Sequence, residues 1–208
     1  KKKKMKKFNT FYVLLAVVLV IVFLKTSCMG DAKQQDDPAL KTKAVLENIA
    51  ARKSVRKYLK KEVEEEKITA MLKAGMAAPS GMDRRPWEFV VVTDRAALDS
   101  MAASLPYAKM LAQAPMAIVV CGDSTRSSYW YVDCSAVTQN ILLAVEALGL
   151  GAVWTAAYPY EDRIGVVRKY TAMPEQFVPL CIIPVGYPDG LQKAKDKYDE
   201  SKIHRNKF

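Results

Sequence analysis

The ten residues Ala78-Pro79-Ser80-Gly81-Met82-Asp83-Arg84-Arg85-Pro86-Trp87 constrain this chain most, because a helical pattern runs into them and a strand pattern runs out. Upstream, Ile68, Met71, Leu72, Gly75 and Met76 recur with the spacing of one apolar helix face; downstream, Glu88 to Thr93 is a β-branched run. Pro79 stops the helix near Ala78, Pro86 forbids a new one, and Gly81 permits dihedrals that other residues avoid. A loop held at both ends and presenting Ser80, Asp83, Arg84 and Arg85 is a good place for a binding site.

The 208 residues carry a net charge of +10 from 32 basic and 22 acidic side chains, a balance that suggests a nucleic-acid partner. Seven of the lysines and no acid lie in residues 1–27; without that segment 25 basic residues face 22 acidic ones, a net of +3, and no nucleic-acid partner is expected. Lys1 to Lys7 precede fourteen apolar or aromatic residues, Phe11 to Leu24, in the order of an export signal. That run is shorter than the roughly 18–20 apolar residues of a spanning helix. Leu24-Lys25-Thr26-Ser27-Cys28 looks like a bacterial lipobox apart from Lys25. Residues 1–27 therefore read as a leader, with lipidation expected at Cys28 and an uncleaved anchor as the alternative; 28–37 read as a polar tether and 38–208 as the domain. An exported protein, anchored to a membrane and facing the periplasm or cell surface, is the expectation.

Cys121, Cys134 and Cys181 remain, an odd number without metal-ligand spacing, so neither a metal site nor a disulfide framework is expected. Asp37 and Pro38 open a helix through about Ala51, Asp94 caps a helix over Ala96 to Ser104, and a strand spans Met116 to Gly122. Tyr129 to Leu148 is the longest helical pattern, apolar enough to be buried on most sides. A strand over Gly151 to Ala157, a helix over Asp162 to Tyr170 and a strand over Val178 to Gly186 follow, with Pro179 and Pro184 arguing for an edge or interrupted position. Beyond Tyr187 the only large aliphatic residues are Leu191 and Ile203, so the tail needs another surface to lie on. Neither Gly-x-Gly-x-x-Gly nor Gly-x-x-x-x-Gly-Lys-Ser/Thr occurs, and His204 is the sole histidine, which disfavours Rossmann, P-loop and Ser-His-Asp chemistry.

Arg52-Lys53-Ser54-Val55-Arg56, the 79–87 loop, Asp133-Cys134-Ser135-Ala136 with Gln139-Asn140, Gly149-Leu150-Gly151-Ala152-Val153-Trp154 and Val185-Gly186-Tyr187-Pro188 stand in the order of a known family. Over about residues 45–208 the chain resembles the FMN-dependent nitroreductases. The resemblance implies an α+β fold, a central mixed or antiparallel sheet flanked by helices, and an extended C-terminal tail wrapped around the partner of an obligate homodimer. It implies FMN as cofactor, NAD(P)H as electron donor, and a nitroaromatic, quinone or related acceptor reduced by a ping-pong cycle. No catalytic side chain is required, because the flavin is the reactive group. The alternatives are a membrane-tethered flavin-binding module with little turnover, and a side-branch activity such as reductive dehalogenation or flavin fragmentation.

By the same resemblance Arg52 and Ser54 take the FMN phosphate, with Lys53 between them, and Arg56 lies toward the pyrimidine side of the ring, where a cation favours the reduced form. Pro79 and Ser80 line the ring, Trp154, Thr155 and Ala156 form the strand end that approaches it, and Lys195 and Lys197 close over the phosphate. Asp83 and Arg85 stand where the family has Asn and Gln. An ionised Asp only accepts hydrogen bonds, so either Asp83 and Arg85 form an ion pair, or Asp83 accepts from the ring N3–H while Arg85 supplies the donor.

Overall fold

The computed structural model describes residues 37–208, and its compact unit begins at Asn48. The leader, most of the tether and Cys28 lie outside the described residues. Among those described, no helix is long and apolar enough to cross a membrane.

One sheet of five antiparallel strands carries the fold: β1 (Trp87–Val92), β2 (Met116–Asp123), β3 (Gly151–Ala152), β4 (Thr155–Ala156) and β5 (Phe177–Gly186). Their order is β1-β2-β5-β3, with β4 also paired to β5. Five helices accompany them among the described residues: α1 (Pro38–Ala51), α2 (Glu65–Met76), α3 (Arg95–Ser104), α4 (Trp130–Ala147) and α5 (Glu161–Thr171). Local chemistry accounts for several ends. Asp37 Oδ1 accepts from the Ala39 N–H at 2.9 Å, and Asp94 Oδ2 accepts from the Ala97 N–H at 2.8 Å, each satisfying an amide that the helix cannot.

Strand side chains alternate between faces, and both faces of β2 are covered, so β2 is apolar without a break. Met116, Ile118 and Val120 join α2 and α4 in one core; Ala117, Val119 and Cys121 join α3 and α5 in the other. α4 buries Cys134, Val137, Ile141, Leu142 and Val145 but exposes Tyr131 and Val132, so it is buried on one broad face and not on most sides as its composition suggested.

One expectation about strands needs correcting, and another is decided between its alternatives. The stretch expected as one strand, 151–157, is two short ones, because Val153 and Trp154 leave the ladder between β3 and β4. Of the two positions that Pro179 and Pro184 allowed for β5, edge or interrupted, it takes the interrupted one: it pairs with β2 along its length and with β3 and β4 besides. A proline lacks the ladder N–H, and both sit where the ladder is irregular. Pro184 falls between Val185 and Ile182, the nearest partners of β3 and β4, and Pro179 faces Cys121, where the register slips after Val120.

Beyond Gly186 the chain is fastened once more before the tail begins. Leu59 N–H donates to Tyr187 O at 2.9 Å, and the Tyr187 hydroxyl donates to Glu64 at 2.7 Å while accepting from Lys67 Nζ at 2.8 Å. From Asp189 onward no residue is buried, and Leu191, Tyr198, Ile203 and Phe208 are exposed, as expected of a tail without its own core.

Cys121, Cys134 and Cys181 are free and buried, and burial pushes the Cys121 and Cys181 thiols up to about 12 and raises Cys134 as well. In the unfolded chain a thiol titrates near pH ~8.5. Below that pH both states hold their protons and the contribution to stability is whole; as pH rises toward 12 the unfolded state deprotonates first and folding weakens. Denaturant midpoints should therefore fall progressively above about pH 9. At pH 8 peptide mapping should find these three cysteines alkylated only after denaturation. Labelling of the native protein would contradict their burial.

Candidate functional site

The segment after α1 is extended because it is stitched to β3. Val55 N–H donates to Ala152 O at 2.9 Å, and Ser54 bridges Ala152 in parallel. Alternation then puts Val55 inside and Ser54 and Arg56 outside. The approach is close enough that a Cβ on Gly151 would lie 2.6 Å from Val55 Cγ1, so only glycine fits. Tyr58, also buried, donates its hydroxyl to Val55 O at 2.7 Å and fixes the far end of the segment.

Arg52 opens onto a cavity of about 480 Å³ that it shares with Lys195, Asp196 and Lys197 of the tail. Three cations against one carboxylate give this cavity a positive balance suited to an anion, and guanidinium groups bind oxyanions through two parallel N–H bonds. Lys53 does not join them. Its Nζ lies 2.7 Å from Glu146 Oε1, with both side chains largely covered, so it ties the segment to α4. Asn48 Nδ2 donates to Leu143 O at 3.0 Å and does the same one turn earlier.

The 78–87 loop is a single turn of 3-10 helix, Gly81–Asp83, between α2 and β1. Its unusual dihedrals are not at Gly81 but at Met82, Asp83 and Arg85, with φ of 52, 54 and 46°. Left-handed backbone costs a side-chain-bearing residue roughly 1–2 kcal/mol, so bonds must hold it. Asp83 N–H donates to Ser80 O at 3.0 Å and Arg85 N–H to Ser80 Oγ at 2.7 Å. Arg85 Nε and Nη2 fork onto Asp83 Oδ1 and Oδ2 at 2.7 and 2.6 Å. The ion pair, one of the two arrangements open to these residues, is formed. The Arg85 guanidinium holds the Asp83 carboxyl below the usual carboxylate range, chiefly through that hydrogen bond. Pro79 is exposed and Ser80 half-buried at the start of the turn.

At the β3–β4 end Trp154 and Ala156 are exposed, whereas Thr155 is buried and donates its hydroxyl to Ile182 O at 2.7 Å. Its side chain is thus committed to β5. The cavity at Arg52 is lined by none of the residues of the 79–85 loop or of 154–156, so the expected site residues fall into separate groups on the protomer.

Two supports lay in the sequence pattern without an assigned role. Asn140 Nδ2 donates to Ala74 O at 3.0 Å, holding the last turn of α2 where the loop departs. Asp133, buried in the first turn of α4, accepts from the Gly81 N–H at 3.1 Å; its other oxygen, Oδ2, is buried without a partner among the described residues. An acid amid the apolar positions of a buried helix was the signal. Among the described residues no cluster suited to a metal ion occurs.

Residues 49–105 and 99–187 match the sequence pattern described as the Nitroreductase family. The chain belongs to that family. A protein of Methanothermobacter thermautotrophicus with the provisional name NADH dehydrogenase/NAD(P)H nitroreductase is 46% identical over 167 residues, 79% of this chain and 87% of that one. A crystal structure from Bacteroides thetaiotaomicron under the same provisional name is 70% identical with a TM-score of 0.79, covering 79% of this chain and 98% of that one. An FMN-dependent nitroreductase from Clostridium difficile R20291 is 33% identical with a TM-score of 0.74, covering 77% and 98%. The fold of this chain is the nitroreductase fold, α+β with an antiparallel sheet.

The Asp133 tether gives a prediction. Asp133→Asn keeps an acceptor for the Gly81 N–H, whereas Asp133→Ala removes it at a cost of about 1 kcal/mol. Hydrogen exchange at Gly81 should therefore quicken in the alanine variant and stay slow in the asparagine variant. Equal exchange in both would mean that the bond does not hold the loop.

Proposed function

We propose that this protein is an FMN-dependent NAD(P)H oxidoreductase that reduces nitroaromatic, quinone or related acceptors in a ping-pong cycle. The observation that carries the reading is the convergence of Arg52, Lys195 and Lys197, distant in sequence, on one cavity. A phosphate monoester dianion meets that donor set well: three cations supply its charge and the Arg52 fork its geometry. Membership of the nitroreductase family supports the rest.

FMN, when bound, supplies the electron transfer between a nicotinamide donor and the acceptor. The chain's part is to bind and orient. Arg52 and the tail lysines hold the phosphate; Ser54, exposed two residues on in the extended segment, adds a hydroxyl donor. Arg56, on the same exposed side of that segment, faces the pyrimidine end of the ring with a cation. Pro79, Ser80 and the strand end at Trp154 and Ala156 line the ring, and Thr155 acts through its backbone because its hydroxyl is spent on Ile182.

The unit is a homodimer. Val132 of α4 and the apolar residues of the tail are exposed among the described residues, which supports a second copy as their cover and as the completion of the separate groups of site residues. Export and membrane attachment through Cys28 rest on the leader sequence.

Anaerobic titration tests this directly. The FMN-loaded full-length protein should bleach with NADH or NADPH and recover its colour with a nitroaromatic or quinone. Arg52→Ala should weaken FMN binding tenfold or more, since a hydrogen bond to a charged group contributes about 1.5–3 kcal/mol. Bound flavin that no nicotinamide bleaches would overturn the oxidoreductase reading and leave a flavin-binding module.

A further inference from the structure

We propose that Asp83 is a positioning residue that, by clamping Arg85, sets the reduction potential of FMN; this rests on the reading above, which puts the 79–85 loop beside the ring. The clamp is a two-point fork, Arg85 Nε and Nη2 on the two carboxylate oxygens, between residues only two apart. Such neighbours meet in this way because both have left-handed backbone, and that backbone is locked from three sides: Ser80 takes two loop amides, Asp133 takes the Gly81 N–H, and Arg84 Nη1 donates to Arg126 O at 3.1 Å.

Fold stability does not account for it. The side chains are 64 and 71% exposed, and an exposed ion pair contributes little to a fold, whereas left-handed side-chain-bearing residues oppose it. Strain without a stabilising return marks a place where geometry serves a ligand. What the fork achieves is electrostatic: two full charges are held at fixed positions and cancel as a pair. The ring gains negative charge on two-electron reduction, so a nearby cation raises its potential and a nearby anion lowers it. Asp83 therefore acts twice, by its own charge and by keeping the opposing guanidinium in place.

The test is the FMN potential of the wild type, Asp83→Asn, Arg85→Gln and the double variant, with flavin content measured alongside. Arg85→Gln leaves an uncompensated carboxylate and should lower the potential; Asp83→Asn should raise it. The rise should be larger in the Arg85→Gln background than in the wild type, where the freed guanidinium drifts into water and takes part of the gain with it. Equal rises in both backgrounds would mean that Asp83 acts by charge alone and would overturn the positioning role; four equal potentials would overturn both roles. Where either variant fails to hold FMN, Arg85→Lys replaces it: charge is kept, the fork is lost, and the potential should still move. A wild type that takes up no FMN would sink the underlying reading instead, before any variant is compared.

Discussion

Pairing on both edges of β5 is the constraint on which the rest depends. One edge matches β2 from Phe177 to Val185, and the other takes β3 and β4 at two separate points. Two of the three groups of candidate site residues are referenced to that strand, the 79–85 loop being held instead by α4 through Asp133. Ser54 reaches it through Ala152, which pairs with Val185; Thr155 reaches it through Ile182; the tail that carries Lys195 and Lys197 leaves from its end. A buried, fully paired strand is among the least deformable parts of a protein, which suits a site whose binding groups stand on loops and chain ends.

Around that frame charges are handled in two ways. The cations lining the cavity at Arg52 are left largely uncompensated, with Asp196 the single carboxylate in that lining. Several cations elsewhere are paired: Lys53 by Glu146, Arg85 by Asp83, Lys67 by Glu64 and Tyr187. Arg52 and Lys53 are adjacent cations in the same segment, and only their surroundings tell one from the other.

Much of the fold was legible because periodicity reports burial. The helices at 65–76, 95–104 and 130–147 and the strand at 116–123 arise from apolar spacing and capping residues that act locally. The misreadings share a non-local cause. Pro179 and Pro184 allowed an edge or an interrupted strand, and the features that decide between them, the bulge at Cys121 and the gap between β3 and β4, belong to other strands. Gly81 seemed the freest residue of its loop, yet the left-handed positions went to Met82, Asp83 and Arg85, because side-chain bonds to Ser80 and Asp83 hold them there. The Asp83–Arg85 pair was foreseeable as one of two options, whereas the Lys53–Glu146 pair spans 93 residues and left no local trace.

The central claim is that the cations of the extended segment and the tail form one anion site for a flavin phosphate. Isothermal titration of the apoprotein with FMN and, separately, with riboflavin, which lacks the phosphate, tests it most directly. The account requires about one FMN per protomer and riboflavin binding weaker by at least tenfold, the phosphate having several charge-assisted contacts to lose. Equal affinity for FMN and riboflavin, or no binding of either, would contradict it.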